Sequence, residues 1–398
     1  MSRSQGSVLL PESRPTGLGD TGPVTAGAQQ RESAVPLPEA PLGAAQLDHL
    51  RASVTRALTE FLDRQRDILA GMDATLVPVV DEVRALAAGG KRLRPAFAYW
   101  GWRGATMPGA EEDDAAVLRA VAALEFVHAS ALVHDDVMDG ARTRRGRPAT
   151  HIGFASRHAL GDLNGDGEMF GTGAAILVGD LALVWSDELL RCSGISVPAL
   201  IRARGVWDTM RTEVTAGQYL DLLRAAGGLP GPDGALTVAR YKSAGYTVQR
   251  PLQLGAAIAG AGRDVVEAYT RIGLPLGEAF QLRDDVLGVF GDPAVTGKSA
   301  DDDLREVKQT LLIALAEQET DDAGRRLLDD VLGDPSAGHE QFDAVRRLLE
   351  ATGARERVEE RIAEQTGVAR SAIAAAGIAD DARDALDALA VAATSRTA

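Results

Sequence analysis

Three observations predict an all-α fold, built as one large helical domain. From Ala45 onward, apolar residues recur at intervals of three and four, the spacing of one helix face. Runs that alternate polar and apolar residues between hairpin turns are absent from the sequence. Aromatic residues are only 4% of a chain that is 45% hydrophobic and rich in alanine, a composition suited to closely packed helices.

The segment 1–45 stands apart. It has no aromatic residue and carries Pro11, Pro15, Pro23, Pro36, Pro38 and Pro41 among Gly, Ser and Gln. Such a stretch buries too little apolar surface to offset its ordering entropy, so a disordered tail is expected, followed by one helical domain over 46–398. In that domain Leu50, Val54, Leu58, Phe61 and Leu62 draw the first stripe. Further stripes run through 112–138, 173–193, 200–226, 235–261, 264–290, 303–318, 340–352, 354–376 and 380–393. Gly161 to Gly173 reads as a flexible loop between two helices. Its Asp162, Asn164 and Asp166 have the spacing of a calcium loop, but the downstream Glu of that motif is missing, so calcium is not expected there.

Composition excludes several classes. A formal net charge of -15 and a pI near 4.9 disfavour a nucleic-acid partner, which needs clustered Lys and Arg. Cys192 is the single cysteine, so neither a disulfide within the chain nor a cysteine metal site is available, and a cytoplasmic setting fits. No uninterrupted apolar run reaches the ~18 residues of a membrane span, and 173–185 is broken by Asp180, so it reads as a buried helix. The N-terminus lacks the charged start and apolar run of a secretory signal.

Two acidic clusters carry the chemistry. In LVHDDVMDGARTRRGRP (132–148), Asp135 and Asp139 share a helix face with Asp136 beside them, at the end of a strongly apolar helix. Like charges at that spacing destabilise a helix, and the helix dipole adds to the cost at its C-terminus. Divalent cations relieve it, since hard Mg²⁺ prefers carboxylate oxygens and leaves other positions for phosphate. Asp284 and Asp285 repeat the theme in GEAFQLRDDVLGVFGD (277–292). Either cluster alone could be a solvated face. Together, with Lys91, Arg92 and Arg94 after a Gly-Gly hinge, Arg144, Arg145 and Arg147 after the first cluster, and Lys242, Lys298 and Lys308 later, they suggest a diphosphate site.

These residues resemble the trans-prenyl diphosphate synthase (polyprenyl synthetase) family over roughly 50–395. The motifs in register are GGKRLRP at 89–95, HDDVMD followed by RR, VGDLAL at 178–183, GQYLDL at 217–222, YKSA at 241–244, FQLRDD at 280–285 and GK at 297–298. The resemblance implies a single large helical bundle of the isoprenoid synthase type around a central active-site cavity, and a magnesium-dependent prenyltransferase that joins isopentenyl diphosphate to an allylic diphosphate, using more than one Mg²⁺ per site, usually as a homodimer. It implies that Asp135, Asp139 and Asp284 are the Mg²⁺ ligands, supported by Asp136 and Asp285. Arg144, Lys242, Ser243, Gln281 and Lys298 would hold the allylic diphosphate, and Lys91, Arg94, His128 and Arg145 the isopentenyl diphosphate. A lone His128 would otherwise read as a satisfied core histidine. There are departures: Gly288 replaces a common third Asp, Ser243 a common Thr, and Val307 a common Gly before Lys308, so Lys308 is carried over only weakly.

In this family the product grows along the helix before the first cluster. Ser130 and Ala131 stand five and four residues before Asp135, where enzymes that stop at fifteen carbons often carry bulky aromatics. Ala131 lies about 6 Å below Asp135. The expected product is therefore geranylgeranyl diphosphate (C20), with Val127 and Leu124 as candidate floor residues; farnesyl (C15) or longer products are the alternatives. Three other readings are a class I terpene cyclase, an HD-type phosphohydrolase prompted by His134-Asp135, and an inactive regulatory subunit of a heteromeric synthase. The first lacks its second metal motif here, the second its further histidines, and the third usually loses the aspartate clusters that this chain keeps.

Overall fold

The computed structural model of the chain describes residues 44–106, 112–292, 300–305, 308–334 and 336–395. Lys298 and almost all of the expected tail lie outside them. The described part is helical nearly throughout, as the apolar spacing predicts. In order come α1 (Ala44–Met72), a 3-10 turn, α2 (Val77–Ala87), α3 (Leu93–Ala105), α4 (Asp114–Met138), α5 (Thr150–Leu160), α6 (Gly167–Arg191) and α7 (Val197–Ala225). Next, α8 (Gly231–Val238), a π-helical stretch Ala239–Gln249 and α9 (Arg250–Ala259) follow one another without a break. Then come α10 (Arg263–Phe290), the short α11 (Asp302–Arg305), α12 (Leu311–Glu319), α13 (Asp322–Val331), α14 (His339–Ala351), α15 (Ala354–Ala375) and α16 (Asp380–Thr394).

Caps explain several boundaries. The Asp166 carboxylate accepts from the Glu168 and Met169 N–H groups, Ser196 caps α7 with Pro198 in its first turn, and Asp321 accepts from the Ala323 and Gly324 N–H groups. The Asp166 cap corrects one expectation: the loop between α5 and α6 is only 161–166, and Gly167–Gly173 is helical. Gly171 sits so close to α5 that a Cβ there would meet the His151 carbonyl oxygen at 2.2 Å. Gly171 therefore serves packing, not flexibility.

Two further expectations need correction. The stripe 235–261 is not uniform α-helix, because its middle is π-helical. The stripe 303–318 is not one helix either: Lys308, Gln309 and Thr310 are non-helical, and α12 begins at Leu311.

The core has two parts. The larger unites α1 to α7, the π stretch, α9, the first half of α10, the end of α15 and α16, with Phe61, Phe126 and Trp185 packed ring to ring. The smaller gathers the second half of α10 with α12 to α15. By length and composition alone α4 and α6 could each cross a membrane, yet 78% of the apolar window of α4 is buried inside the fold, against 39% for α6. The first is therefore a core helix. The second buries one face and exposes Leu177 and Val184 on the other.

Candidate active site

The end of α4 places Asp135 and Asp136 in its last turn, and Asp139 caps it, donating its N–H to the Asp135 carbonyl at 2.8 Å. Carboxylates at a helix C-terminus meet the negative end of the dipole, so cations must come from elsewhere. One arrives locally. Thr143–Arg144 and Arg147–Pro148 form a two-residue antiparallel ribbon, turned by Arg145 and Gly146 at φ 53 and 73. Positive φ at both turn residues suits a tight hairpin. It folds Arg144 back: its Nε donates to Asp136 Oδ1 at 2.7 Å, and its Nη2 reaches Asp136 and, at 3.4 Å, Asp135 Oδ2. Asp136 is fully buried. It orients Arg144.

A second cation comes from the π-helical stretch. Lys242 Nζ donates to Asp135 Oδ1 at 2.7 Å and to Asp221 Oδ2 at 2.6 Å, while Gln218 Nε2 donates to Asp135 Oδ1 at 3.1 Å. This closeness has a cause in the sequence. A Cβ on Gly217 would stand 2.3 Å from the Lys242 backbone nitrogen, so glycine alone lets α7 touch the π stretch.

The electrostatics then divide the two carboxylates. Burial opposes ionisation of Asp135, but Lys242, Arg144 and Lys308 together hold its carboxyl below the usual range. Burial and the adjacent Asp135 push Asp139 up to about 7, with Lys242 and Lys308 opposing. Lys242 is held above its usual value: burial disfavours its charge, and Asp135 and Asp221 more than restore it. Lys308, only weakly expected in the site, thus lies within charge range of both Asp135 and Asp139.

Arg94, His128 and Arg145 gather nearby. The Arg94 guanidinium lies 4.3 Å from the Tyr246 ring centroid and donates to Thr247 Oγ1 at 3.1 Å. Arg145 donates to the Leu86 carbonyl at 3.2 Å. The His128 ring is 6.3 Å from Tyr246; burial, then Arg94, Arg145 and other arginines, hold it well below its usual pKa, so it is neutral at pH 7. Lys91 is exposed beside them in sequence, and its carbonyl accepts from Arg51 Nε at 3.4 Å.

The second cluster lies on α10. Asp284 and Asp285 are half-buried, and Gln281 Nε2 donates to Asp285 Oδ1 at 2.7 Å. Two turns earlier, a Cβ on Gly277 would lie 2.5 Å from the Ala244 carbonyl. The π stretch that sends Lys242 to Asp135 is therefore also packed on α10. Next to Asp284, Arg283 is clamped to Glu359 at 2.8 and 2.7 Å and donates to the Thr394 carbonyl at 2.9 Å. Half-buried Ser243 adjoins Lys242. Val127 and Ser130 are buried on α4, and Ala131 is half-buried one turn before Asp135.

Among the described residues no three His, Cys, Asp or Glu side chains converge into a ready metal cage. The donor set still fits magnesium, which binds through one or two carboxylates and fills its other positions with water and phosphate. Asp139, raised by a neighbouring carboxylate, is the kind of group a divalent cation relieves. His134 Nε2 lies 3.2 Å from the Ile176 carbonyl and 3.4 Å from Asp180, against α6, so the His-Asp pair of the phosphohydrolase reading is not built. Gln218, Asp221, Tyr246 and Thr247 were not singled out from sequence. The first two were nonetheless visible inside GQYLDL, three apart on one helix face.

Comparison with known proteins bears on this geometry. The sequence model described as Polyprenyl synthetase matches residues 79–349. A geranylfarnesyl diphosphate synthase of Aeropyrum pernix is 32% identical over 307 residues, covering 76% of this chain and 86% of its own. A geranylgeranyl diphosphate synthase of Mycobacterium tuberculosis is 33% identical over 291 residues, covering 72% of this chain and 76% of its own. Among solved structures, geranylgeranyl pyrophosphate synthase from Corynebacterium glutamicum, complexed with isoprenyl diphosphate and magnesium, is 41% identical with a TM-score of 0.85, covering 88% of this chain and 99% of that one.

Proposed function

The chain belongs to the polyprenyl synthetase family of prenyltransferases, and from that premise we propose that it condenses isopentenyl diphosphate with allylic diphosphates to make geranylgeranyl diphosphate. One observation carries the reading. Asp135 and Asp139 stand together at the end of α4, split in ionisation and ringed by Lys242, Arg144 and Lys308.

Bound Mg²⁺, more than one ion per site, would stabilise the negative charge that develops on the departing diphosphate. Asp135, Asp139 and Asp284 would hold it, with Asp285 in support. Arg144, Lys242, Ser243, Gln281 and Lys298 grip the allylic diphosphate. Arg94, Arg145, Lys91 and neutral His128 hold the diphosphate of isopentenyl diphosphate. Neutral His128 keeps both hydrogen-bonding roles without adding to the repulsion among the arginines. The allylic C–O bond breaks heterolytically and diphosphate leaves, the allylic cation alkylates the double bond of the second substrate, and a proton is lost from the new cation. No side chain among those gathered here is a suitable base, so the released diphosphate takes that proton. Water must be kept from the cation, which it would otherwise quench.

Product length rests on α4. Relatives of similar identity bear names from farnesyl to nonaprenyl diphosphate synthase, so identity does not decide it. Small Ala131 one turn below Asp135 leaves room beyond fifteen carbons, with Val127 and Leu124 toward the floor. Pairing as a homodimer is supported by exposed Leu177 and Val184 on α6 and Val197 and Ile201 on α7, at 67%, 61%, 69% and 65% exposure. A cytoplasmic enzyme with the domain at 46–398 completes the proposal. The test is incubation with isopentenyl and farnesyl diphosphates and Mg²⁺, with the product identified by chromatography. A mainly C15 product, or full turnover by Asp135→Ala, overturns it.

A further inference from the structure

One buried charge has no part in the scheme above. Arg224, in the last turn of α7, is only 4% exposed. Its guanidinium binds three backbone carbonyls on two segments: Nε donates to the Gln309 carbonyl, and Nη1 donates to the Leu229 carbonyl and, at 3.0 Å, to the Gly231 carbonyl. Burial lowers its pKa, and Glu317 on α12 and Asp221 on its own helix work to keep its charge. Glu317 feels the same tension, its carboxyl raised by burial while Arg224 opposes. A buried cation held by carbonyls is costly to place, so its partners are informative.

Gln309 is the informative one. It belongs to the short non-helical run Lys308–Thr310 ahead of α12, in which the Thr310 N–H donates to the Lys308 carbonyl at 2.8 Å. Lys308 acts on both Asp135 and Asp139. Arg224 also lies three residues after Asp221, the carboxylate that shares Lys242 with Asp135. We propose that Arg224 is a positioning residue: by fastening Gln309 to α7 it holds Lys308 at the acidic cluster, where Lys308 meets the substrate diphosphate. The inference rests on the diphosphate reading above, and adds to it the group that sets where one of its cations stands. Lysine cannot replace the fork, because one ammonium does not reproduce donors pointing at Gln309 and at Leu229–Gly231 together.

The test is a double-mutant cycle with Arg224→Met and Lys308→Met, assayed in the full chain with Mg²⁺ and both diphosphates. Arg224→Met is expected to lower kcat/KM by about 10-fold in the native background but by less than about 2-fold once Lys308 is methionine, the non-additivity of residues acting through one another. Arg224→Lys should behave like Arg224→Met. Equal losses in both backgrounds, or rescue by Arg224→Lys, overturn the proposal, as does a Lys308→Met enzyme of native kcat/KM. A second measurement is independent of turnover: amide exchange at Thr310 must quicken in Arg224→Met while the α4 amides stay as protected as in the native chain. Unchanged exchange at Thr310 overturns the fastening even if the chain has no prenyltransferase activity, and quickened exchange in an inactive chain supports it while rejecting the reading beneath.

Discussion

Replacing one glycine by alanine should have opposite effects at two helical positions, and the structure supplies both signs. In an exposed helix interior Gly→Ala stabilises by about 0.5–1 kcal/mol, because alanine loses less backbone entropy. Gly367 on α15 is such a site, exposed and with nothing within 4 Å of an added Cβ. Gly217 on α7 is not. There the Cβ would meet the Lys242 nitrogen at 2.3 Å and the Tyr241 carbonyl carbon at 2.5 Å, both backbone atoms that cannot turn aside. The helices must separate by about 1 Å, at a cost near the upper end of the 1–3 kcal/mol usual for overpacking. The same shift withdraws Lys242 from Asp135, and a displacement of about 1 Å in a catalytic group costs on the order of 100-fold in rate. Thermal unfolding and steady-state kinetics on the two variants read out both effects. Gly367→Ala should raise Tm by about 1 °C with native turnover, and Gly217→Ala should lower Tm by several degrees with turnover largely lost. If Gly217→Ala were as stable and active as Gly367→Ala, the contact that sets Lys242 would not exist.

Three further outcomes follow from the site. Lys242→Met leaves Asp135 and Asp221 without their shared cation, and should cost about 2 kcal/mol in stability and 100-fold or more in kcat, measured by denaturant unfolding and by product formation. Ala131→Phe should shorten the main product to fifteen carbons on chromatography, with C20 unchanged counting against the floor on α4. The third concerns pH. A carboxyl raised to about 7 in the folded chain binds its proton more tightly than in the unfolded chain, so between about pH 4 and 7 Asp139 lowers stability as pH rises. Asp139→Asn should therefore gain in Tm over the native chain across that window. Saturating Mg²⁺ with diphosphate should abolish the gain by favouring the ionised form.

Much of this was legible in the chain itself. Carboxylates such as Asp135 and Asp284 are conspicuous in strongly apolar helices, because no stability argument puts them there. The basic residues near them were read alongside, His128 only through the family register; the structure brings Arg144 and Lys242 onto Asp135 and sets Arg94 and Arg145 within charge range of His128. What escaped notice depends on contacts across long sequence gaps. Gln218 and Asp221 look like ordinary polar residues until Gly217 brings α7 against the π stretch. Arg145 gave no sign of a hairpin, since its positive φ is an uncommon choice for a non-glycine residue. The interval Gly167–Gly173 was misread because glycine signals a loop as readily as a close contact. The break at Lys308–Thr310 lies inside an unbroken apolar pattern, and only Arg224 reveals why the chain straightens there.

The π-helical stretch makes the spacing of this segment unforgiving. In it each turn carries more residues than an ordinary helix, and Lys242 and Gln249 lie within the same eleven-residue run. Loss of a single residue would let the rod rewind to α geometry, turning everything upstream by about 100° relative to α9. Lys242 would swing off the carboxylates while Gln249 stayed wedged against Gly273, where a Cβ would already lie 2.4 Å from its Cα. Insertions and deletions should thus be tolerated in this chain almost anywhere sooner than between Ala239 and Gln249, although nothing in the letters of that segment marks it as a ruler.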